Sequence, residues 1–321
     1  MTNTTSPTSL REAVLYFANK DRALAFMVEM RWPAGVRCPH CDAEKPSFLK
    51  SRSIWKCRDC RKQFSVKVGT VFEDSPLGLD KWLPALWMLA NCRNGISSYE
   101  LARDLKVTQK TAWFMLARIR LAMQTPTFQK MQGVVEMDET YVGGIAENMH
   151  KKRRRRVIKG RGPTNKTGVF GAVERDSVRG KRRVHAEVMR FVGAYPISNA
   201  IHQRIEPGST VYTDESNNYQ RGLGKAYEHD TVNHRAKEYV RGVVHTNSVE
   251  NFWSVLKRGI KGTYISVDPF HLFRYVHEAV FRYNIRGESE HGRFSAVVKD
   301  IVGRRLTYAQ LIGRGMQPAT T

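Results

Sequence analysis

Long apolar runs are missing from this 321-residue sequence. No stretch approaches the ~18 uninterrupted apolar residues that a membrane helix needs. The opening segment has neither the basic nor the apolar portion of a secretory signal: MTNTTSPTSLREA. Cysteines are also few, and an odd count of five without an export signal disfavours a disulfide framework. We therefore expect a protein of the reducing cytoplasm with no membrane partner.

Acidic residues are scarce relative to basic ones. The sequence has 30 acidic and 53 basic side chains, which gives a formal net charge of +23. Such an imbalance costs self-repulsion in the folded state, so it usually accompanies a polyanionic partner. Nucleic acid is the partner that we expect, with an affinity that falls steeply as salt concentration rises. The alternative is a basic protein of another kind, such as a ribosome-associated one.

Four of the five cysteines form two pairs, each with two residues between its members: Cys38, Cys41, Cys57 and Cys60. Each pair turns two thiolates toward one point, and four thiolates complete a tetrahedral zinc site. The intervening segment is too short for its own apolar core, so the metal would supply much of its stability. A thioredoxin-like redox pair is the alternative, but one pair would suffice for that. A closed four-thiolate site is structural, so this Zn²⁺ is not expected to be a catalytic metal.

Helical spacing of apolar residues dominates the chain outside this segment. It predicts one helix over 8–30 and further helices over 79–123, with a break around 94–96. Within the second stretch, Ser97 and Thr108 are suited to cap two short helices joined by a tight turn. This pattern is typical of a helix-turn-helix, although an ordinary helical hairpin is the alternative. Three polar side chains at the start of its second helix are candidates to contact DNA: Gln109, Lys110 and Thr111.

The pattern changes from residue 133 onward to short alternating runs that predict strands, with helices between and after them. This order predicts an α/β domain over about 130–290. The predicted helices lie at 195–206, 246–260 and 268–285.

Carboxylates in this region occupy positions that a plain core strand or helix would not favour. The strand-like run 134–138 ends at Asp138, and the run 210–214 ends at Asp214. A later helix places four polar side chains on one face by i, i+3, i+4, i+7 spacing: Asn247, Glu250, Asn251 and Ser254. Any one such acid is more simply interpreted as a surface turn or a helix cap. Three in this order indicate a shared site.

Acids that converge from strand ends and a helix repel one another, so they call for divalent cations. Two Mg²⁺ (or Mn²⁺) ions held in this way activate a water or a 3′-hydroxyl and stabilise the leaving oxygen of a phosphodiester. Lys257 lies seven residues after Glu250. Because seven residues make two helical turns, Lys257 shares a side with Glu250 and could contact a phosphate.

Three segments together resemble the DDE transposases of bacterial insertion sequences: 137–144 (MDETYVGG), 213–215 (TDE) and 245–264 (HTNSVENFWSVLKRGIKGTY). Specifically, the chain resembles the group with an N-terminal zinc ribbon, over about residues 10–310. The resemblance implies a ribonuclease-H-like catalytic domain, Mg²⁺ dependence, and binding to terminal inverted repeats and target DNA. It also implies cleavage and joining of 3′ ends by a homo-oligomer.

The resemblance assigns Asp138 and Asp214 as the first two metal ligands. At the third position the group varies, with Asn or His able to replace Glu, ahead of a lysine that matches Lys257. Three side chains of the last segment are candidates for this position: Glu250, Asn251 and Asn247. We favour Glu250 because a carboxylate binds Mg²⁺ better than a neutral amide does.

A run of basic residues lies between the first two predicted strands. Like-charge repulsion predicts an extended segment in the absence of a partner. We interpret it as a clamp for the DNA backbone beside the active site, with a solvated loop as the alternative. Its members are Lys151, Lys152, Arg153, Arg154, Arg155, Arg156, Lys159 and Arg161.

These patterns divide the sequence into five segments: an N-terminal helix and tail (1–35), a zinc ribbon (36–72), a helix-turn-helix domain (73–125), the catalytic domain (130–290) and a C-terminal segment (291–321). The leading hypothesis is a DNA transposase of the bacterial cytoplasm, associated with the nucleoid. Two alternatives stay open. One is a zinc-ribbon, helix-turn-helix regulator with an inactive catalytic domain, and the other is a ribonuclease-H-like nuclease that cuts without joining.

Overall fold

The computed structural model describes residues 6–124, 129–144, 149–158, 165–175, 182–232 and 240–314. The chain forms two compact units. The first unit contains Met1–Thr125 together with Ile285–Thr321, and the second unit contains Pro126–Asn284. No helix in the described ranges is long and apolar enough to cross a membrane.

The first unit begins with two helices, α1 (Leu10–Ala18) and α2 (Lys20–Arg31). The prediction of one continuous helix over 8–30 is wrong, because the structure divides it at Asn19. The backbone of Asn19 is extended, and its side-chain oxygen accepts a hydrogen bond from the N–H of Arg22 at 3.0 Å. Asparagine side chains compete for backbone donors in this way, so Asn19 starts a new helix.

A small antiparallel sheet follows, with strand order β1-β2-β3. Its strands are β1 (Ser47–Leu49), β2 (Ile54–Lys56) and β3 (Gln63–Phe64). Trp55 and Phe64 are buried and stack with ring centroids 6.0 Å apart, and the Trp32 ring packs edge-on to Trp55 at 5.7 Å. Three aromatic rings therefore supply most of the apolar contact that so small a sheet can make.

Three helices complete this part of the first unit: α3 (Leu79–Asn91), α4 (Ser98–Leu105) and α5 (Gln109–Ala122). The predicted caps are confirmed. Ser97 and Glu100 exchange side-chain to backbone hydrogen bonds at the start of α4, and Thr108 accepts from the N–H of Thr111 at 3.2 Å. Lys106 ends α4 in the left-handed conformation, so only a tight turn separates the two helices.

The second unit contains a five-stranded sheet in the order β6-β5-β4-β7-β8. Its strands are β4 (Val134–Val142), β5 (Thr167–Arg175), β6 (Arg182–Met189), β7 (Thr210–Asp214) and β8 (Glu228–Val232). The pairs β4-β5 and β5-β6 are antiparallel, whereas β4-β7 and β7-β8 are parallel. Consequently β4, β6, β7 and β8 all run in one direction and end at the same edge of the sheet.

Five helices accompany this sheet: α6 (Lys151–Val157), α7 (Ala194–Arg204), α8 (Asn217–Leu223), α9 (Asn247–Arg258) and α10 (Leu272–Asn284). The prediction that the basic run is extended is wrong for α6, which is helical. Lysine and arginine are good helix formers, and their long side chains carry the charges away from the helix axis into water. The intrinsic helix preference of lysine and arginine outweighs the repulsion between their charges.

Helices cover both faces of the sheet, because successive residues of a strand point to opposite sides. On one face, Ile201 of α7 shares a core with Val135 of β4. On the other face, Phe252 of α9 shares a core with Val173 of β5. We refer to these as the α7-α8 face and the α9-α10 face.

After α10 the chain returns to the first unit with α11 (Glu290–Lys299) and α12 (Tyr308–Leu311). Phe294 of α11 is fully buried there. Its ring stacks on Phe26 of α2 at 5.6 Å and lies 4.9 Å from the Trp87 ring of α3. The core of the first unit therefore needs both the beginning and the end of the chain.

Close packing on the α9-α10 face depends on the absence of a side chain at Gly171 of β5. A Cβ added there would lie 2.5 Å from a ring carbon of Trp253 on α9. Gly171→Ala should therefore lower the free energy of unfolding by about 1–3 kcal/mol, because it overpacks a rigid contact. Urea unfolding would measure the loss. In the matched control, Gly262→Ala, an added Cβ meets nothing within 4 Å. Equal unfolding midpoints for the two variants would contradict the tight contact.

Candidate active site and metal centre

The four paired cysteines converge on one point in the first unit. Their ligand atoms all lie within 4.8 Å of one another, with Sγ atoms 3.7 Å apart for Cys38 and Cys60 and 3.6 Å apart for Cys41 and Cys57. A tetrahedral zinc site with Zn–S bonds of about 2.3 Å places its sulfurs roughly 3.7 Å apart. The residues therefore fit a four-thiolate zinc ion, as the spacing predicts. Among the described residues this is the only group of three or more such ligands that is so close.

The two aspartates lie side by side in the second unit. The last register pair between the parallel strands β4 and β7 is Glu136 with Tyr212. Asp138 and Asp214 each follow two residues later on their own strand. Neighbouring strands are about 4.8 Å apart, and residues at equivalent positions of parallel strands point to the same face. Both carboxylates therefore belong to the α9-α10 face. Asp214 is the last residue of β7, as predicted, but the prediction that Asp138 ends its strand is wrong, because β4 stays paired with β5 as far as Val142.

Asp138 is held in a setting that opposes its ionisation. Burial raises its pKa to about 7, and the neighbouring charges of Glu139 and Asp214 add to the rise. One hydrogen bond acts in the opposite direction, donated by Nε1 of Trp253 to Oδ2 at 2.9 Å. A divalent cation would relieve this repulsion, because it stabilises the ionised form of each nearby carboxylate.

Glu139 is a further acid of this group that the sequence analysis does not single out. Strand alternation turns it to the α7-α8 face, where it accepts a hydrogen bond from the hydroxyl of Tyr219. Burial raises the pKa of Glu139, and the charge of Asp214 contributes to the rise. The signal in the sequence is the adjacent pair of acids, 138 and 139, but spacing alone does not divide their roles.

Helix α9 carries the remaining candidates. Four side chains are exposed on one face, as predicted: Asn247, Glu250, Asn251 and Ser254. Lys257 is half-buried, and Thr246 donates a hydrogen bond to Oε1 of Glu250 at 3.3 Å. The ligand oxygens of Asp138, Asp214 and Glu250 do not all lie within 4.8 Å of one another. Helix α9 contacts Asp138 through the indole of Trp253.

A buried carboxylate on β4 fixes the start of α9. Glu136 is fully buried, and its Oε2 accepts hydrogen bonds from the N–H groups of Ser248 at 2.7 Å and Val249 at 3.1 Å. Its Oε1 pairs with Nε of Arg175. An anion at a helix N-terminus satisfies donors that have no partner within the helix and complements the helix dipole. Glu136 is therefore a positioning residue for the helix that carries Trp253.

Arg175 extends this network into the segment before α9. It donates to the carbonyl oxygens of Val243 and His245, each at 2.8 Å, and its guanidinium lies 5.0 Å from the ring centroid of Tyr212. Burial and the charge of Arg175 lower the pKa of His245. The sequence analysis misses Glu136 and Arg175. A charged residue inside an apolar strand is the only local signal, and its partner lies far along the chain.

The predicted DNA-contacting residues are placed in two helices. In α5, Lys110 is exposed with its Nζ 4.9 Å from the Tyr308 ring centroid. Gln109 donates to Ser98 at 2.8 Å, and the Thr111 hydroxyl lies 2.8 Å from that of Thr108.

Helix α6 includes Arg153 and exposes five basic side chains to solvent: Lys151, Lys152, Arg154, Arg155 and Arg156. Lys159 and Arg161 lie outside the described residues. Over Lys151–Val157 the basic run is thus a helix with exposed charges rather than an extended segment.

Known families match both parts of the chain. Residues 130–284 match the ISXO2-like transposase domain, and residues 18–63 match the transposase zinc-ribbon domain. An uncharacterized protein in transposable element ISH50 of Halobacterium salinarum is 30% identical over 252 residues, which cover 75% of this chain and 83% of that protein. A zinc ribbon and a DDE domain in one chain define the class as an insertion-sequence transposase. Within that class, the chain belongs to the ISXO2-like transposase family, which confirms the resemblance of its motifs.

Removal of the Glu136 charge should destabilise the second unit. Glu136→Gln keeps the side-chain size but leaves the Arg175 guanidinium without its buried counter-charge, so we expect a loss of about 3 kcal/mol in the free energy of unfolding. Chemical denaturation would measure it. Glu206→Gln changes an exposed glutamate of the same unit and is the matched control. The network has no such importance if both variants unfold at the same denaturant concentration.

The raised pKa of Asp138 predicts a pH-dependent loss of stability. The folded pKa is about 7 against an ordinary value of 3.8, so between these values the unfolded chain releases a proton that the folded chain retains. Stability is therefore lost as the pH rises through this window. In metal-free buffer, Asp138→Asn should be more stable than the wild type at about pH 8 and similar to it at about pH 4. Thermal unfolding at both pH values would measure this.

The control for this experiment is Asp230→Asn, which changes an exposed carboxylate on β8. It should leave the pH profile of the wild type unchanged. A parallel pair of profiles for Asp138→Asn and the wild type would show that the Asp138 carboxyl ionises normally in the fold.

Proposed function

We propose that this protein is a DNA transposase that binds the terminal inverted repeats of its insertion sequence and performs Mg²⁺-dependent cleavage and strand transfer. The observation that carries the proposal is the position of Asp138 and Asp214 on the same face of two neighbouring parallel strands, each two residues beyond the last register pair. In a chain of this family, such a pair is suited to hold divalent cations. The mixed five-stranded sheet with helices on both faces supports a ribonuclease-H-like catalytic domain.

The donor set fits Mg²⁺ or Mn²⁺. Asp138 and Asp214 offer carboxylate oxygens, which these hard cations prefer. Burial, together with the charges of Glu139 and Asp214, raises the pKa of Asp138, and a bound cation would lower it. Two bound ions would supply Lewis acidity to the attacking 3′-hydroxyl or water and to the leaving oxygen of the phosphodiester. The protein itself contributes the alignment of the two aspartates, which the pairing of β4 with β7 sets.

The contact between Trp253 and Asp138 supports Glu250 as the third ligand. Residues three or four apart on a helix are neighbours, whereas residues two apart face different directions. Glu250 lies three residues before Trp253, and Lys257 lies four residues after it. Asn251 lies only two residues before Trp253, so helix geometry turns it further from Trp253 than Glu250. Glu250 and Lys257 therefore flank the point at which α9 approaches the aspartates.

Positive charge supports DNA as the substrate. The formal net charge is +23, and α6 presents basic side chains to solvent beyond the end of β4. We assign α6 to the DNA backbone and the exposed start of α5, with Lys110, to the terminal repeats. The chain acts as a homo-oligomer in this proposal, because both ends of the element and the target must be held together.

Strand transfer with labelled element ends and Mg²⁺ tests the proposal. Asp138→Asn and Asp214→Asn should abolish joining while end binding is retained. Glu250→Ala should lower the rate by roughly a hundredfold or more, because a lost metal ligand removes several kcal/mol of transition-state stabilisation. Asn251→Ala is the matched control from the next position of α9 and should remain close to wild type.

The other outcomes of the strand-transfer assay distinguish between the competing hypotheses. Normal joining by Asp214→Asn would overturn the metal site, and an inactive Asn251→Ala beside an active Glu250→Ala would move the third ligand to Asn251. Cleavage without joining by the wild type would indicate a nuclease. Binding without any product would indicate a regulator with an inactive catalytic domain.

A further inference from the structure

Two aromatic side chains extend into solvent after β6, one from the loop that follows this strand and one from the first turn of α7. Phe191 is 64% exposed and Tyr195 is 83% exposed. Aromatic rings normally bury a large apolar area in the core. Two exposed rings within five residues therefore offer a large apolar area that a ligand can cover. We call residues 190–195 the aromatic loop.

The aromatic loop is anchored between its two rings. Val192 packs against the core of the α7-α8 face, in space left by Gly168 of β5. A Cβ added to Gly168 would lie 2.3 Å from Cγ2 of Val192. Two ring carbons of Phe191 lie 3.7 Å from the Cβ position of Gly193, so this ring rests over a glycine. Because the backbone is fixed in this way, a ligand that stacks on the rings loses little loop entropy.

The aromatic loop follows the end of β6, at the end of the sheet toward which β4 and β7 also run. Val192 anchors it on the α7-α8 face, whereas Asp138 belongs to the α9-α10 face. Strand β6 runs parallel to β4, because each is antiparallel to β5. Its last residue, Met189, is in register with Gly168 and through it with Tyr141, three residues beyond Asp138. Three residues along a strand and two strand spacings across the sheet give a backbone separation of about 14 Å between Met189 and Asp138.

We propose that Phe191 and Tyr195 form a stacking platform for an unpaired DNA base close to the cleaved phosphodiester. This inference rests on the proposed function. Every base has a flat π-face, so stacking on an aromatic ring needs no particular sequence.

Charge favours nucleic acid over a protein partner for this platform. Arg190 is exposed beside Phe191, where it can contact the phosphate next to a stacked base. The net charge of +23 attracts the chain to DNA.

Fluorescence of 2-aminopurine provides the test. The probe is a duplex of the element end with a single-stranded tail that carries 2-aminopurine at successive positions. Wild-type protein should quench the fluorescence at one or two positions. Phe191→Ala and Tyr195→Ala should each remove the quenching and weaken binding of the tailed duplex about tenfold, with binding of a blunt duplex unchanged. Tyr195→Phe keeps the ring and should retain the quenching.

Phe270→Ala is the matched control, because Phe270 is a 43% exposed phenylalanine of the same unit outside the aromatic loop. The platform is overturned if the Phe191→Ala, Tyr195→Ala double variant binds and quenches like Phe270→Ala. It is also overturned if the double variant only reduces self-association, which would make the rings a protein interface.

Strand transfer by the same proteins separates this inference from the proposed function. If the wild type joins DNA ends and the double variant still quenches the fluorescence, the platform is overturned and the proposed function stands. Absence of joining by the wild type removes the proposed function, while the quenching still decides whether the rings stack on a base.

Discussion

The buried carboxylate of Glu136 is the interaction on which the candidate site depends. A buried charge is tolerated only when hydrogen bonds and a counter-charge replace water. Glu136 obtains both, from the first N–H groups of α9 and from Arg175. Arg175 is its diagonal neighbour across the β4-β5 ladder, since Glu136 pairs with Val173. The ladder register and the position of α9 are therefore set together, two residues before Asp138.

A steric constraint completes what this network begins. Gly171 lies opposite Asp138 in the ladder, and the missing side chain leaves the space that the Trp253 ring occupies. The indole can then donate to Asp138 from directly above the strand. The N-terminus of α9 is held by the charge of Glu136, and the middle of the helix is held by the fit of Trp253 against Gly171. Glu250 and Lys257 inherit their positions from these two contacts, because helix geometry links them to Trp253.

Local patterns predicted much of this arrangement. The cysteine pairs, the caps of α4 and α5 and the position of Asp214 at the end of β7 each depend on residues close in sequence, and such signals can be read without a structure. Contacts between distant residues were not predictable, which is why Glu136 with Arg175 was missed. The helix break at Asn19 and the helical conformation of α6 were also not predicted. At both places several local preferences compete, and residue spacing does not show which one is strongest. The proposal of Glu250 over Asn251 rests on the Trp253 contact, since both side chains are exposed.

Strand β4 carries two acids on one face whose surroundings differ in kind. Glu136 accepts hydrogen bonds from the Arg175 guanidinium and from two backbone N–H groups, so its negative charge is compensated within the protein. Asp138 has one indole N–H and two neighbouring negative charges, and its pKa rises accordingly. The first acid stabilises the fold, and the second remains unfavourable until a cation is bound. The favourable contacts of Glu136 thus offset the unfavourable environment of the Asp138 carboxylate. The partners of the two side chains, rather than their residue types, distinguish the structural acid from the candidate metal ligand.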